Sequence, residues 1–268
     1  MSRKGIGVDN EKRWVFNRLA GAYRSRPGYP ATLVDRLAAL SGGAGTSAAD
    51  LGAGTGLLAI PLTERGLRVA AVEPARAMLD ELAGAAGLPR AVASLGAAPD
   101  MATPLRLVHA TAEQTTLPSA QFHLVVLADA LQWVDPELTG LEAARLLRPG
   151  GVAAVVEARL AETPFLLELG ALLAAYNPKS RARRPGEVRQ VLSLATGGAS
   201  PLEETFDHEA VLNDAALEGV LRSLSFVGPA RGTSALDALL LDARRLAAVH
   251  GGAVWRRKLT LTFARHRL

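Results

Sequence analysis

Three glycines at alternate positions, in Ala48-Ala49-Asp50-Leu51-Gly52-Ala53-Gly54-Thr55-Gly56-Leu57-Leu58, constrain this chain more than any other feature. They follow a short apolar strand signal and precede a helix-like run. Glycine permits positive φ and lets a ligand lie directly against the main chain. A helix that opens after such a turn points unpaired N–H groups into it, which favours a carboxylate or phosphate. The arrangement predicts a nucleotide-type site at the first strand–helix crossing of an α/β sheet.

The spacing is G-x-G-x-G, not the G-x-G-x-x-G of a dinucleotide fingerprint. A second apolar run, residues 67–72, ends in Glu73-Pro74. A carboxylate at the tip of the second strand is where such folds grip a ribose diol. The rest of the chain alternates in the same way. Strands are expected at 68–72, 105–109, 122–127 and 152–156, with helices at 57–65, 75–83 and 136–147. Residues 122–127 form a nearly continuous apolar run that suits a buried parallel strand. Together they predict a doubly wound parallel sheet. Residues 84–104 read as a loop longer than most in a compact domain, long enough to cover the site. Beyond Glu157 the pattern loosens into helices at 163–176, 187–195, 213–224 and 235–249. A strand at 203–211 and a last, alternating strand at 257–263 complete the reading.

In these segments the chain resembles the class I S-adenosylmethionine-dependent methyltransferases. It is most similar to the branch that holds the trans-aconitate and ubiquinone/menaquinone-biosynthesis methyltransferases. The resemblance rests on Arg26-Pro27-Gly28-Tyr29-Pro30, on the glycine loop, and on Glu73-Pro74 with Met78-Leu79. It also rests on Thr111-Ala112-Glu113, on Ala130-Leu131-Gln132-Trp133, and on Leu146-Leu147-Arg148-Pro149-Gly150-Gly151. It implies one class I domain over residues 1–268. The sheet would be Rossmann-like, in the order 3-2-1-4-5-7-6 with strand seven antiparallel. Residues 10–40 and 160–200 would form a helical cap.

The resemblance also implies roles. Asp50, Gly52, Ala53, Gly54 and Gly56 would cradle the methionyl part of S-adenosylmethionine, and Glu73 the ribose, with Pro74 and Met78 beside it. Thr111, Ala112 and Glu113 would read the adenine edge. Ala128 would line the methyl-transfer region, and Arg26 and Tyr29 would close the entrance. Gln132 and Trp133 would face the substrate. Three positions depart from the family: His123 and Thr111 stand where an aspartate is common, and Gln132 where a histidine is. A general base is therefore unassigned, with Asp129, Tyr29 and His208 as the nearest candidates.

Composition narrows the function classes. The absence of cysteine removes disulfides and a thiolate nucleophile together. A pI near 9.8 invites a nucleic-acid reading, yet the net charge is only +4, which argues against one. The one basic cluster, Lys179-Ser180-Arg181-Ala182-Arg183-Arg184, reads as a solvated loop or as a clamp for an anionic substrate through Arg183 and Arg184. The histidines lack metal-ligand spacing, so no metal is expected. No run approaches the ~20 apolar residues of a membrane span, and a cytoplasmic location is expected. The expected reaction moves a methyl group to O, N or C of a small-molecule acceptor, anionic or carrier-bound among the options, and leaves S-adenosylhomocysteine. The alternatives are a cofactor-binding protein without methyl transfer and a nucleic-acid methyltransferase.

Overall fold

The computed structural model describes residues 15–88, 103–177, 186–227 and 232–267. Its centre is a seven-stranded sheet: β1 (Ser47–Leu51), β2 (Arg68–Val72), β3 (Leu105–Val108), β4 (Phe122–Ala128), β5 (Leu147–Leu160), β6 (Leu202–Leu212) and β7 (Ala253–Arg265). The spatial order is β3-β2-β1-β4-β5-β7-β6, as expected. The first five strands pair in parallel, while β7 is antiparallel to both β5 and β6. The chain reverses its direction of travel across the sheet between β1 and β4. Loops leaving those two strands diverge, and a crevice opens at the carboxyl ends of the strands.

Helices cover both faces because the inner strands are apolar on both sides. On one face lie α1 (Val15–Tyr23), α2 (Ala31–Ser41), α3 (Ala59–Glu64) and α4 (Arg76–Ala85). Leu33, Leu37, Leu62 and Leu82 of this layer are fully buried over β1 and β4. The other face is covered by α5 (Pro136–Leu146) and α7 (Glu187–Thr196), through Ala143, Leu146, Val191 and Leu192. A third apolar cluster joins α6 (Pro164–Tyr176), α8 (Asp214–Arg222) and α9 (Thr233–Val249) to Trp255 of β7. Helix starts follow side-chain chemistry. Asp135 accepts from Glu137 and Leu138 N–H ahead of Pro136, and Asn213 accepts from Ala216 N–H. Among the described residues no helix is long and apolar enough to cross a membrane.

Two features differ from the sequence expectation. Among the described residues of 10–40 and 160–200, α2 and α7 bury their apolar faces on the sheet as flanking layers. The helices near the crevice are α1 and α8. Asn17 of α1 accepts from Ala77 N–H at the start of α4 at 3.0 Å, which holds α1 over the crevice. The second difference is length. β5 continues past Val156, where its pairing to β4 stops, and β7 accompanies it from Thr260 to Arg257. This extension, along which β6 stays paired with β7, stands beside the crevice.

Helix α8 touches the 24–28 segment at one close point. A Cβ placed on Gly219 would overlap the Ser25 side chain, including its Cβ. Only glycine lets the helix and the segment approach so closely. Gly219→Ala is expected to cost roughly 1–3 kcal/mol of stability, as overpacking does, measured by urea denaturation; an unchanged midpoint would show that the contact is looser than described.

Candidate active site

The glycine loop folds back on the end of β2. Gly52 and Ala53 N–H both donate to Val72 O, at 2.8 and 3.0 Å. Glu73 then ties the two ends together: its Oε2 accepts from Gly54 N–H at 3.0 Å and its Oε1 from Ala75 N–H at 2.8 Å. The glycines do different things. Gly54 has φ 56°, and a Cβ on it would meet no atom within 4 Å, so the loop is open to a ligand there. Gly56 has φ 85°, and a Cβ on it would lie 2.7 Å from Leu82 Cγ. It is a packing residue that lets the loop sit on α4.

These elements bound a cavity of about 1010 Å³, open mouth included. Asp50 lines it from within β1, almost wholly buried. Burial, and next the charge of Glu73, push its carboxyl up to about 7, although a hydrogen bond from Ala59 N–H opposes the rise. Its Oδ2 and the Thr55 Oγ1 are buried without a hydrogen-bond partner. Pro74, Met78, Ala112 and Glu113 line the far end. Glu113 is steadied there by Asp135 N–H, which donates to Oε1 at 2.9 Å.

A second cavity, of about 1760 Å³ with its mouth, adjoins the first. Tyr23, Arg26, Pro27, Asp129, Trp133 and Arg257 line both. Asp129 sits at the junction with φ 51°, a conformation aspartate tolerates better than most residues. Its N–H donates to Val156 O at 2.9 Å, and its Oδ1 accepts from Ala158 N–H at 2.8 Å. Gln132 Nε2 donates to the Asp129 carbonyl at 2.8 Å, so the residue that replaces the family histidine braces this turn. The Tyr29 hydroxyl donates to Asp129 Oδ2 at 3.1 Å. Burial and the Asp129 charge hold the Tyr29 phenol well above its ordinary pKa, so it remains a proton donor.

Cationic side chains close the entrance. Arg26 donates to Ser223 Oγ and O at 2.8 and 3.0 Å and lies 4.0 Å over the Tyr23 ring. Arg257 Nη2 donates to Pro27 O at 3.0 Å, to Gly28 O, and to His208 Nδ1 at 3.0 Å. Phe16 meets Trp133 edge to face, centroids 4.8 Å apart, and forms an apolar wall.

Residues 49–155 match the family model described as a methyltransferase domain. An uncharacterized methyltransferase of Mycobacterium tuberculosis and one of Mycobacterium bovis are each 40% identical over 170 residues, 63% of this chain. The match spans 62% of the length of these curated relatives. A protein of Anaeromyxobacter dehalogenans, provisionally described as a type II methyltransferase, superposes with TM-score 0.59 at 23% identity, covering 90% of this chain and 97% of its own. A phosphoethanolamine N-methyltransferase of Haemonchus contortus superposes with TM-score 0.51 at 12% identity, covering 96% of this chain and 60% of its own. That structure holds phosphomonomethylethanolamine and S-adenosylhomocysteine. Residues 49–155 thus match a methyltransferase domain, and the sheet has the fold of these solved structures.

The first cavity gathers Arg26, Tyr29, Asp50, Gly52, Ala53, Gly54, Glu73, Pro74, Met78, Ala112, Glu113 and Ala128 from five separate segments. Trp133 lines both cavities and Gln132 the second. Three candidates lie elsewhere. Gly56 is turned to α4, and Thr111 bridges to Gln114 outside the lining. His208 lies on β6 behind Arg257, where its Nδ1 accepts a hydrogen bond; burial and then the Arg257 charge depress its pKa. Arg183 and Arg184 fall outside the described residues. Sequence reasoning missed Arg257 and Trp255 on β7, and Phe16 on α1.

Asp50 generates a pH prediction. Its proton is held more tightly in the folded chain than in the unfolded one. Stability therefore falls as pH rises from about 4 to about 7 and levels off above, the ionised carboxylate costing up to roughly 4 kcal/mol. In Asp50→Asn that fall is absent, so the variant should gain on the parent from about pH 5 to about pH 8 in urea denaturation without ligand. A constant difference across the range would refute the assignment.

Proposed function

We propose that this chain transfers a methyl group from S-adenosylmethionine, held in the first cavity, to a small-molecule acceptor seated in the second. The observation that carries this reading is the junction at Asp129, where a nucleotide-shaped cavity under the glycine loop meets a second cavity of its own. The lining fits the cofactor. Gly54 leaves the loop bare for close approach, and the partnerless Asp50 Oδ2 and Thr55 Oγ1 are buried polar atoms suited to its charged amino-acid end. Glu73, fixed by Gly54 and Ala75 N–H at the tip of β2, is an acceptor suited to the ribose hydroxyls. Met78, Pro74 and Ala112 offer an apolar slot for the base.

Bound S-adenosylmethionine supplies a methyl group on a sulfonium, whose departure as a thioether needs no acid. The protein's work is then alignment, water exclusion and disposal of a proton. Phe16 and Trp133 keep one wall dry. Asp129 stands where a hydroxyl, amine or acidic carbon of the acceptor would give up its proton, and the neutral Tyr29 hydroxyl holds that carboxylate in place. Positioning of this kind can contribute roughly 7–11 kcal/mol in favourable cases. A cytoplasmic setting suits a cysteine-free chain.

The test is calorimetric. Glu73→Gln should bind S-adenosylmethionine and S-adenosylhomocysteine roughly a hundredfold more weakly than the parent, two charge-assisted hydrogen bonds being impaired. Gly54→Ala should weaken both and carry only the strain of alanine at positive φ, whereas Gly56→Ala adds the overlap with Leu82 and should destabilise the fold more. No binding by the parent protein would end the reading. Asp129→Asn should keep its affinity for S-adenosylhomocysteine and lose turnover by about a hundredfold or more.

A further inference from the structure

The second cavity carries an imbalance of charge that the cofactor does not account for. Its described lining holds three guanidiniums, those of Arg26, Arg159 and Arg257, against the single carboxylate of Asp129. Arg26 is committed to Ser223 and to the Tyr23 ring. Arg159, by contrast, makes no ion pair or hydrogen bond among the described residues, and Arg257 Nε is buried without a partner. Both sit where β5 and β7 extend past β4, with Leu160 paired to Arg257 and Arg159 to Lys258. The consecutive residues Ala158, Arg159 and Leu160 all line the second cavity, which therefore wraps the end of that extension. None of the three lines the first. Around the two arginines the wall is apolar: Leu160, Leu224, Phe226 and Trp255.

From this we infer that the acceptor is an amphiphilic anion, its carboxylate or phosphate head held by Arg159 and Arg257 and its apolar body laid against Trp255 and Phe226. The inference rests on the proposed methyl transfer and names the substrate class of that site. Orientation follows from electrostatics. An anionic head at the junction would face Asp129 and be repelled, whereas on the extension it meets two guanidiniums that lack an anionic partner. A guanidinium offers paired N–H donors to planar or tetrahedral oxyanions. Arg159 is exposed and Arg257 half-buried, so the attraction is stronger at Arg257. The acceptor's protic end is thereby turned toward Asp129.

Octanoate, octyl phosphate, octanamide and octylamine serve as probes, titrated into the full chain saturated with S-adenosylhomocysteine and followed by tryptophan fluorescence and calorimetry. The expected result is binding of at least one anion about tenfold or more tighter than octanamide or octylamine; whichever anion binds tighter identifies the head group as carboxylate or phosphate. Arg159→Met, outside the lining of the first cavity, should erase most of that preference while S-adenosylhomocysteine affinity stays at the parent value, and Arg257→Met should erase the preference more strongly. Equal affinity for the amide, or a preference for the amine, overturns the inference. So does an Arg257→Met variant that folds and loses S-adenosylhomocysteine as severely as octanoate, since Arg257 would then serve the cofactor. Failure of the parent chain to bind S-adenosylhomocysteine at all would instead strike the methyltransferase reading. The probe series on the parent protein decides the matter even where a variant does not fold.

Discussion

Asp129 is the point on which the two cavities depend. Its backbone leaves β4 in the left-handed region, and that turn is stabilised from three sides. Val156 and Ala158 of β5 take its N–H and one carboxylate oxygen, Gln132 braces its carbonyl, and Tyr29 donates to the other oxygen. The junction is thus welded to β5 on one side and to the entrance segment on the other. A strained turn of this kind persists only where its surroundings over-determine it, and such turns gather at functional sites. The same residue then has two effects. It forms the partition between the cavities, and it sets a carboxylate in the lining of both.

The first cavity is organised by a different cost. Asp50 and Glu73 are two carboxylates in one buried neighbourhood. Glu73 is stabilised by two backbone N–H donors, while Asp50 Oδ2 has none, and the tension appears as its raised pKa. Packing alone would not select such an arrangement, since a buried polar atom without a partner is destabilising. A ligand that brings positive charge or donors to Asp50 removes the penalty, so part of its affinity is already stored in the folded chain. The cavity's apolar end, Met78 and Ala112, has no such requirement.

What was legible in the sequence follows from how local each signal is. Glycines at positive φ, the Glu73 that follows an apolar strand, and capped helices such as those at Asp135 and Asn213 are set by neighbours in the chain. Most of the strands and helices could therefore be anticipated from the residues themselves, while the sheet order came from the family resemblance. Gly56 shows the limit of reading by motif. Its spacing matches the loop, but only the closeness of Leu82, a contact across 26 positions of sequence, reveals that its duty is packing. His208 shows the same limit for chemistry. A histidine near the end of the chain is a reasonable base until pairing of β6 with β7 sets it behind Arg257, accepting a hydrogen bond. The cap was misjudged for a related reason. An apolar stripe on α2 or α7 cannot tell whether it will face a sheet or a crevice.

Arg257 was invisible for a reason that also explains the second cavity. In sequence it belongs to Arg256-Arg257-Lys258, a basic run that an amphipathic edge strand would carry for solubility. Its meaning comes from length: β5 and β7 outrun β4, so residues 157–160 and 257–260 pair with each other beyond the body of the sheet. On that extension, alternation turns Trp255 and Arg257 to one side, with Leu160 as the cross-strand neighbour of Arg257, against the Pro27 and Gly28 carbonyls. Two strands that merely filled the sheet would have ended at Val156 and left the crevice open to solvent on that flank. Because they continue, the crevice acquires a wall with both apolar surface and positive charge. The glycine loop therefore shapes the first cavity, and the late, alternating strand shapes the wall of the second.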